Sequence, residues 1–256
     1  MQLSVRPLTD KEFRQYCTIV YKECGIHLTD EKRQLLNARL GRRLRTLGVD
    51  AGEYMRIIEQ NPQERSLFVD AISTNHTFFF RESKSFRHID ETCRHIWCAA
   101  ASSGEDPYSL ASYCFSRNIQ ASIWATDISN SCLDKARQGI YPISGQNNIP
   151  ADILKKCFQK GRKQWTGFMR VRPEIKEMVQ FGRYNLLDNR LPERAFDMIF
   201  CRNVMIYFDS PTKEKVVRSL TSVLKPKGYF IIGGAESLNG LNHQLRYVEP
   251  SVYIKN

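Results

Sequence analysis

The sequence has no long hydrophobic run. Its longest apolar stretches, such as those that end at Phe80 and Phe200, are far shorter than the roughly 18 residues that a membrane-spanning helix needs. The residues that follow Met1 do not form the apolar core of a secretory signal. We therefore expect a cytoplasmic protein that does not insert into a membrane.

Closely paired metal or disulfide ligands are also missing. The eight cysteines include no CxxC pair and mostly fall within apolar segments, and the five histidines lack the spacing of a zinc site. This pattern argues against a secreted disulfide scaffold and predicts buried, reduced thiols. No metal is expected.

Positive charge, in contrast, is abundant. The 256 residues contain 38 Lys and Arg against 27 Asp and Glu, a formal net charge of +11, and 42% of them are hydrophobic. The hydrophobic content suffices for one large domain or two small ones, and the charge favours a polyanionic partner: nucleic acid, anionic lipid or an acidic protein. One predicted helix carries a basic ridge, which is either a docking surface or only a solvated face. The ridge comprises Lys32, Arg33, Arg39, Arg42, Arg43 and Arg45.

The first 74 residues predict a small helical domain. A capping-box pattern at Thr9 and Glu12 begins the first helix, and the second helix stops at Gly48. Two shorter helices are predicted at 51–60 and 64–72. The inner stripe of the second helix is predicted to be Leu36, Leu40, Leu44 and Leu47.

Residues 93–256 alternate short apolar runs with helical stretches, the pattern of a parallel sheet covered by helices on both faces. The alternation breaks between Tyr141 and Glu177, and a small antiparallel insertion is predicted there at about 155–177. Asp106 and Ser210 are predicted helix caps. The predicted strands are 95–98, 122–126, 178–184, 196–201, 229–232 and 247–254, with a turn at 225–228. The predicted helices are 106–117, 130–138 and 210–224.

Polar residues follow four successive predicted strands, at the edge where ligands of open parallel sheets bind. The first of these loops, 99–105, lacks the GxGxxG pattern of a dinucleotide site. Glu105 and Asp106 also place negative charge where a phosphate would bind. Asp127 follows about 20 residues later, where a carboxylate can accept ribose hydroxyls or merely cap the next helix. A nucleoside with a positive centre, S-adenosylmethionine, fits these residues better than NAD or ATP.

Four segments of the chain resemble, in the same order, the CheR family of chemotaxis receptor glutamate methyltransferases. They are residues 74–82 (TNHTFFFRE), 101–109 (ASSGEDPYS), 185–187 (NLL) and 196–208 (FDMIFCRNVMIYF). The similarity extends over nearly the whole chain. One departure lies at 233–237, where the chain reads GGAES and the family has a His-Ser-Glu-Asn-like stretch. Glu236 therefore has no assigned role.

The resemblance implies an α/β fold with a Rossmann-like class I methyltransferase sheet at 93–256 and an N-terminal all-α helical domain at 1–74. Residues 75–92 would link the two and contact the cofactor, and the small antiparallel β-subdomain would be the insertion at about 155–177. The implied reaction is S-adenosylmethionine-dependent methylation of receptor glutamate side chains, which forms glutamyl methyl esters and leaves S-adenosylhomocysteine.

The resemblance also implies residue roles. Arg81 and Tyr207 would face the transferred methyl group as catalytic residues. Asp127 would hold the ribose, and Glu105 would lie near the methionine end of the cofactor. The full set of implied cofactor contacts is Asn75, Thr77, Arg81, Glu105, Asp127, Asn185, Leu186, Arg202 and Asn203.

The implied partner is the cytoplasmic domain of methyl-accepting chemotaxis receptors, whose methylatable glutamates lie on long acidic helices. The basic ridge would dock there through Arg39, Arg42, Arg43 and Arg45. In some relatives the β-subdomain binds a short peptide at the receptor C-terminus by adding a strand, and the sequence leaves such binding open.

The sequence is less consistent with three other functions. Trp165 and Phe168 beside Arg170 and Arg172 resemble a base-stacking platform of an RNA methyltransferase, but 202–205 lacks the Asn-Pro-Pro-Tyr-like loop of base-nitrogen chemistry. No nucleic acid partner is therefore expected. A receptor-binding adaptor without turnover is disfavoured by the intact candidate site, and an NAD-dependent oxidoreductase by the missing phosphate loop. Taken singly, the motifs could be only core aromatics or helix caps.

Overall fold

The N-terminal part folds as predicted into helices that meet along their apolar faces. The computed structural model describes residues 6–256. Thr9 caps the first helix: its hydroxyl accepts the Glu12 N–H, and the Glu12 carboxylate accepts the Thr9 N–H. Asp50 and Glu53 form a second capping box that was not identified from the sequence. The helices here are α1 (Asp10–Cys24), α2 (Arg33–Leu47), α3 (Ala51–Gln60) and α4 (Pro62–Ile72).

Helix α2 buries a shorter stripe than predicted. Leu36, Leu40 and Leu44 are buried in the helical core, whereas Leu47 is exposed. Gly48 takes the left-handed conformation, φ +70°, and ends the helix directly after Leu47. The prediction is therefore wrong for Leu47, which is the last residue of the helix and lies beyond its buried stripe.

Ten strands form two separate sheets in the described chain. The strands are β1 (His95–Cys98), β2 (Ser122–Asp127), β3 (Ile140–Pro142), β4 (Phe158–Lys160), β5 (Phe168–Val171), β6 (Val179–Arg183), β7 (Phe196–Cys201), β8 (Leu224–Ile232), β9 (Leu245–Glu249) and β10 (Val252–Lys255). The large sheet has the order β6-β2-β1-β7-β8-β10-β9, and its first five strands are parallel. The strand order therefore reverses between β1 and β7, and ligands of such sheets bind at this point.

Two predictions about the end of the sheet are wrong. Residues 225–228 form no turn but belong to β8, which pairs with β7 through a register shift that accommodates Pro226. The predicted last strand, 247–254, is a hairpin of β9 and β10, turned at Ser251 with φ +68°. In both places the pairing with a neighbouring strand decides the backbone, and local turn residues do not reveal it.

Helices cover both faces of the large sheet, and two of their predicted caps are wrong. The helices of this region are α5 (Glu105–Ser116), α6 (Asn130–Gln138), α7 (Ala151–Cys157), α8 (Pro173–Lys176) and α9 (Ser210–Ser222), of which α7 packs on α5 and on β4 of the small sheet. The backbone of Gly104, at φ +97°, occupies the N-cap position of α5, so Asp106 lies inside the helix. Asp209, not Ser210, caps α9 by accepting the Thr212 N–H at 3.0 Å.

The small sheet is antiparallel, with the order β3-β5-β4. It begins at Ile140, well before the predicted insertion at about 155–177. The three-residue strand β3 is too short to show an alternating pattern, and it becomes a strand by pairing with β5 later in the chain.

The described chain also bears on the predictions about cysteines, metal and membrane. All eight cysteines lie in it without a disulfide; seven are buried as predicted, and Cys17 is half-buried. Within residues 6–256, no group of three or more potential ligands is placed to hold a metal ion, and the absence of metal stays a prediction. None of the helices in this range has the length and apolarity needed to cross a bilayer.

Candidate active site

A cleft opens between the helical domain and the carboxyl edge of the large sheet. It holds about 820 Å³ of empty space, including solvent at its mouth, which suits a small-molecule site. Cys24 and Ile26 line it from the helical domain, and Ala99 lines it from the end of β1. The predicted site residues that line it are Asn75, Thr77, Arg81, Asp127, Asn185, Leu186, Arg202, Asn203 and Tyr207.

The loop between β1 and α5 brings backbone close to the cleft. Its Ser102 N–H donates to the Asp127 carboxylate at 2.8 Å. A side chain at Gly104 would place its Cβ 2.7 Å from the Tyr141 hydroxyl and 2.8 Å from the Ala136 Cβ. Both the left-handed backbone and this close packing therefore require glycine at position 104.

Asp127 lies at the end of β2 and faces the cleft. One carboxylate oxygen accepts the Ser102 N–H, and the other accepts the Ser129 N–H at 2.9 Å. Burial raises the pKa of this carboxyl group. Ser129, not Asp127, caps helix α6, since its hydroxyl accepts the Cys132 N–H. The alternative that Asp127 is merely a helix cap is therefore wrong.

Glu105 does not line the cleft, whereas its neighbour Asp106 does. The Ser103 hydroxyl donates to the Glu105 carboxylate at 2.7 Å, and burial raises the pKa of Glu105. Asp106 accepts two hydrogen bonds from the Arg202 guanidinium, at 2.5 and 3.1 Å. Arg202 also donates to the Glu82 carbonyl at 3.3 Å. This buried pair supports the wall of the cleft.

The interdomain segment supplies Asn75, Thr77 and Arg81 to the cleft. The Arg81 guanidinium donates to the His76 carbonyl at 3.1 Å and lies 5.5 Å from the ring centroid of Phe78. The next aromatics, Phe79 and Phe80, are buried core residues. The motif thus combines a core anchor with polar residues that reach the cleft.

Three contacts from the helical domain hold the far side of the cleft. The His27 N–H donates to the Tyr207 carbonyl at 2.8 Å, and the Lys32 ammonium lies 5.5 Å from the Tyr207 ring centroid. The Asn185 amide donates to the Glu23 carbonyl at 2.7 Å. No local pattern in the sequence marks His27 or Lys32 as site residues, because only the packing of the two domains places them beside Tyr207.

The basic ridge on α2 is smaller than predicted. Arg39 donates to the Ile72 carbonyl, to the Ser73 carbonyl at 3.0 Å and to the Thr74 hydroxyl at 3.1 Å, so it holds the segment that leads into the cleft.

Arg43 is bound inside the helical domain. Its guanidinium donates twice to the Glu64 carboxylate, each time at 2.5 Å, and the Tyr54 hydroxyl donates to the same carboxylate. Arg39 and Arg43 are thus engaged within the chain, and the predicted four-arginine docking surface stays a prediction. Arg42 and Arg45 are exposed, and we call these two residues the exposed ridge.

Glu236, which had no role from the sequence, reaches the same cleft wall. Its carboxylate accepts backbone N–H groups of the loop that follows β7, including those of Asn203 and Val204 at 2.9 and 3.0 Å. The sequence marked Glu236 only as an acidic residue just after the predicted strand 229–232, which is the last part of β8.

Comparison with known proteins agrees with this geometry. The family model described as "CheR methyltransferase, SAM binding domain" matches residues 75–254, and "CheR methyltransferase, all-alpha domain" matches residues 11–73. The chain is 38% identical to a chemotaxis protein methyltransferase of Salmonella typhimurium, over 96% of this chain and 90% of the relative.

Two further relatives are similar over comparable lengths. The chain is 38% identical to chemotaxis protein methyltransferase 2 of Pseudomonas aeruginosa, over 96% of this chain and 93% of the relative. It is 36% identical to the chemotaxis protein methyltransferase of Borreliella burgdorferi, over 97% of this chain and 95% of the relative. The resemblance found in the sequence is confirmed: this chain belongs to the CheR methyltransferase family and is an S-adenosylmethionine-dependent methyltransferase.

Proposed function

We propose that the chain methylates glutamate side-chain carboxylates on the cytoplasmic domain of chemotaxis receptors, and therefore acts in the cytoplasm. The main support is the cleft at the switch in strand order, which the Asp127 carboxylate lines together with Arg81 and Tyr207. The names of the relatives, chemotaxis protein methyltransferases, support the same receptor class.

The residues of the cleft fit S-adenosylmethionine. Asp127 retains acceptor capacity beyond its two backbone hydrogen bonds, as a ribose diol requires. Asn75, Thr77 and Asn203 add polar groups around it. The acidic first turn of α5 is a poor phosphate site but is compatible with a cationic ligand.

The proposed chemistry needs no general base. The bound cofactor supplies a methyl group on a positively charged sulfur. A glutamate side chain has a pKa of about 4.3 and is therefore already an ionised nucleophile at neutral pH. The work of the protein is therefore to position the carboxylate. We propose that Arg81 and Tyr207 do this, since both line the cleft.

The function is tested by incubating the protein with methyl-labelled S-adenosylmethionine and receptor cytoplasmic fragments. We expect label in the receptor that mild alkali releases as methanol, because a carboxyl ester hydrolyses and an N-methyl group does not. Alkali-stable label would contradict carboxyl methylation. Label that persists after the receptor glutamates are replaced by alanine would contradict the proposed acceptor.

Asp127→Ala is expected to weaken binding of S-adenosylhomocysteine by about 10- to 100-fold, because charge-assisted hydrogen bonds are lost. The Ser102 backbone also loses its acceptor. Calorimetric titration measures the effect, with Asp134→Ala as control, since Asp134 is an exposed residue of α6. An Asp127→Ala affinity within about threefold of the wild type would refute the ribose role.

Docking of the receptor is tested with variants of the exposed ridge. Replacing Arg42 and Arg45 together by glutamine should raise KM for the receptor fragment about threefold or more at low salt, with kcat unchanged. The effect should fade in high salt, because exposed charges are screened. The control is Arg218→Gln with Lys227→Gln, which removes the same charge from exposed positions elsewhere. An equal rise in KM in the control, or a salt-independent rise, would argue against docking here.

We also propose that the small sheet binds a receptor tail peptide along an edge strand. Phe168 is the first residue of strand β5 of this sheet and Trp165 precedes that strand, with 39% and 48% of their surface exposed. The RNA alternative finds less support, since Arg170 donates to the Gln159 side chain and Arg172 to the Phe158 and Lys155 carbonyls. The two arginines are thus engaged within the subdomain.

A further inference from the structure

The turn after β7 carries several of the side chains that line the cleft. Asn203, Val204 and Tyr207 all face it from this turn, residues 203–207. Asn203 adopts a left-handed backbone at φ +57°, and residues Met205–Tyr207 form one short 3-10 turn. A turn of this length cannot supply acceptors for its own leading N–H groups.

The acceptor for these groups is a single carboxylate. One oxygen of Glu236 accepts the N–H groups of Val204, Met205 and Ile206, at 3.0, 2.7 and 3.2 Å. The other oxygen accepts those of Asn203 and Gly233, at 2.9 and 2.6 Å. Successive N–H groups that converge on an anion form a backbone nest, which fixes the conformation of the turn.

The backbone around Glu236 places its carboxylate between the segments that follow β7 and β8. Its own N–H donates to the Gly233 carbonyl at 2.9 Å, which closes a tight turn after β8. A Cβ on Gly233 would lie 2.9 Å from the Asn203 backbone nitrogen, so the two chain segments pack directly on each other. The Gly234 N–H donates to the Glu82 carboxylate at 2.8 Å, next to Arg81 in the chain.

We infer that Glu236 is a positioning residue for the methyl transfer. Its carboxylate holds the backbone of residues 203–206 and so sets the place of Asn203 and Tyr207 in the cleft. On the opposite side, the His27 N–H holds the Tyr207 carbonyl. Because Tyr207 acts on the acceptor carboxylate only under the proposed function, this inference rests on that function.

Glu236→Gln tests the inference with little change in shape. Either orientation of the amide turns an NH₂ group towards at least two backbone N–H donors, so the nest is disrupted. We expect kcat at saturating S-adenosylmethionine to fall by at least about tenfold, and the dissociation constant of S-adenosylhomocysteine to rise by a smaller factor, since Asn203 also faces the cofactor cleft. The matched control is Glu193→Gln, at an exposed position of the same domain, with kcat unchanged. A Glu236→Gln enzyme with kcat within about twofold of the wild type would overturn the inference.

A double-mutant cycle with Tyr207→Phe identifies the route of the effect. If Glu236 acts through the turn, Glu236→Gln should lower kcat much less in the Tyr207→Phe background than in the wild type. Fully multiplicative losses would overturn the inference. A Tyr207→Phe enzyme with wild-type kcat would instead refute the proposed role of Tyr207, so the two failures are distinguishable.

Hydrogen exchange on the wild-type protein keeps the test independent of variant folding. The amides of Val204 and Met205 should be protected from exchange at neutral pH, because each donates to the Glu236 carboxylate. Rapid exchange of both amides would overturn the inference, whatever the variants do.

Discussion

Replacing Arg81 by alanine is expected to lower kcat by about 100-fold at saturating S-adenosylmethionine, because methyl transfer depends on holding the acceptor carboxylate in line with the methyl group. The Arg81 guanidinium is held by the His76 carbonyl and the Phe78 ring, and 23% of its side chain stays exposed. Its position is thus fixed while part of it remains accessible to a substrate. Steady-state kinetics with receptor fragments measure the effect.

Two control variants distinguish a role of Arg81 in positioning the acceptor carboxylate from a role in binding substrate and transition state equally. Arg81→Lys keeps the charge but loses the planar pair of donors, so it should give an intermediate kcat. Arg117→Ala, an exposed position beyond the end of α5, should leave kcat unchanged. A rise in KM with unchanged kcat would mean that Arg81 stabilises the bound substrate and the transition state equally, and its proposed catalytic role would be refuted.

Asp106→Asn is expected to lower the free energy of unfolding by about 3–5 kcal/mol, because it leaves the Arg202 guanidinium buried without its counter-charge. Only 2% of the Arg202 side chain is exposed, and its two hydrogen bonds to Asp106 join α5 to the end of β7. Denaturant unfolding monitored by circular dichroism measures the change.

The matched control for this pair is Asp134→Asn, which affects an exposed ion pair with Arg137 and should change stability by less than about 1 kcal/mol. Replacing Arg202 by Met in the Asp106→Asn background should recover part of the loss, since the uncompensated charge disappears. An Asp106→Asn protein about as stable as the Asp134→Asn control would contradict the structural importance of the pair.

Local sequence patterns predicted much of the fold. The capping box at Thr9 and the apolar strands β1 and β7 are present as predicted, because each depends on residues close in the chain. The strand β3 was not predicted, because it exists through pairing with β5 later in the chain. The hairpin of β9 and β10 was not predicted either, because its turn at Ser251 has no glycine to mark the positive φ. The candidate cleft was largely foreseen, since a parallel sheet gathers the residues that follow its strands at one edge.

The sequence by itself determined which residue types stand at the strand ends and therefore the chemistry of the cleft: an acidic residue after β2, no phosphate loop and a nearby arginine. Only the tertiary structure decided which charged side chains act together. Arg202 forms an ion pair with Asp106, Arg43 forms one with Glu64, and Glu236 accepts hydrogen bonds from the turn after β7. The partners in these contacts are far apart in the chain, and a carboxylate becomes a counter-ion or a backbone acceptor only when folding brings its donors within hydrogen-bond distance.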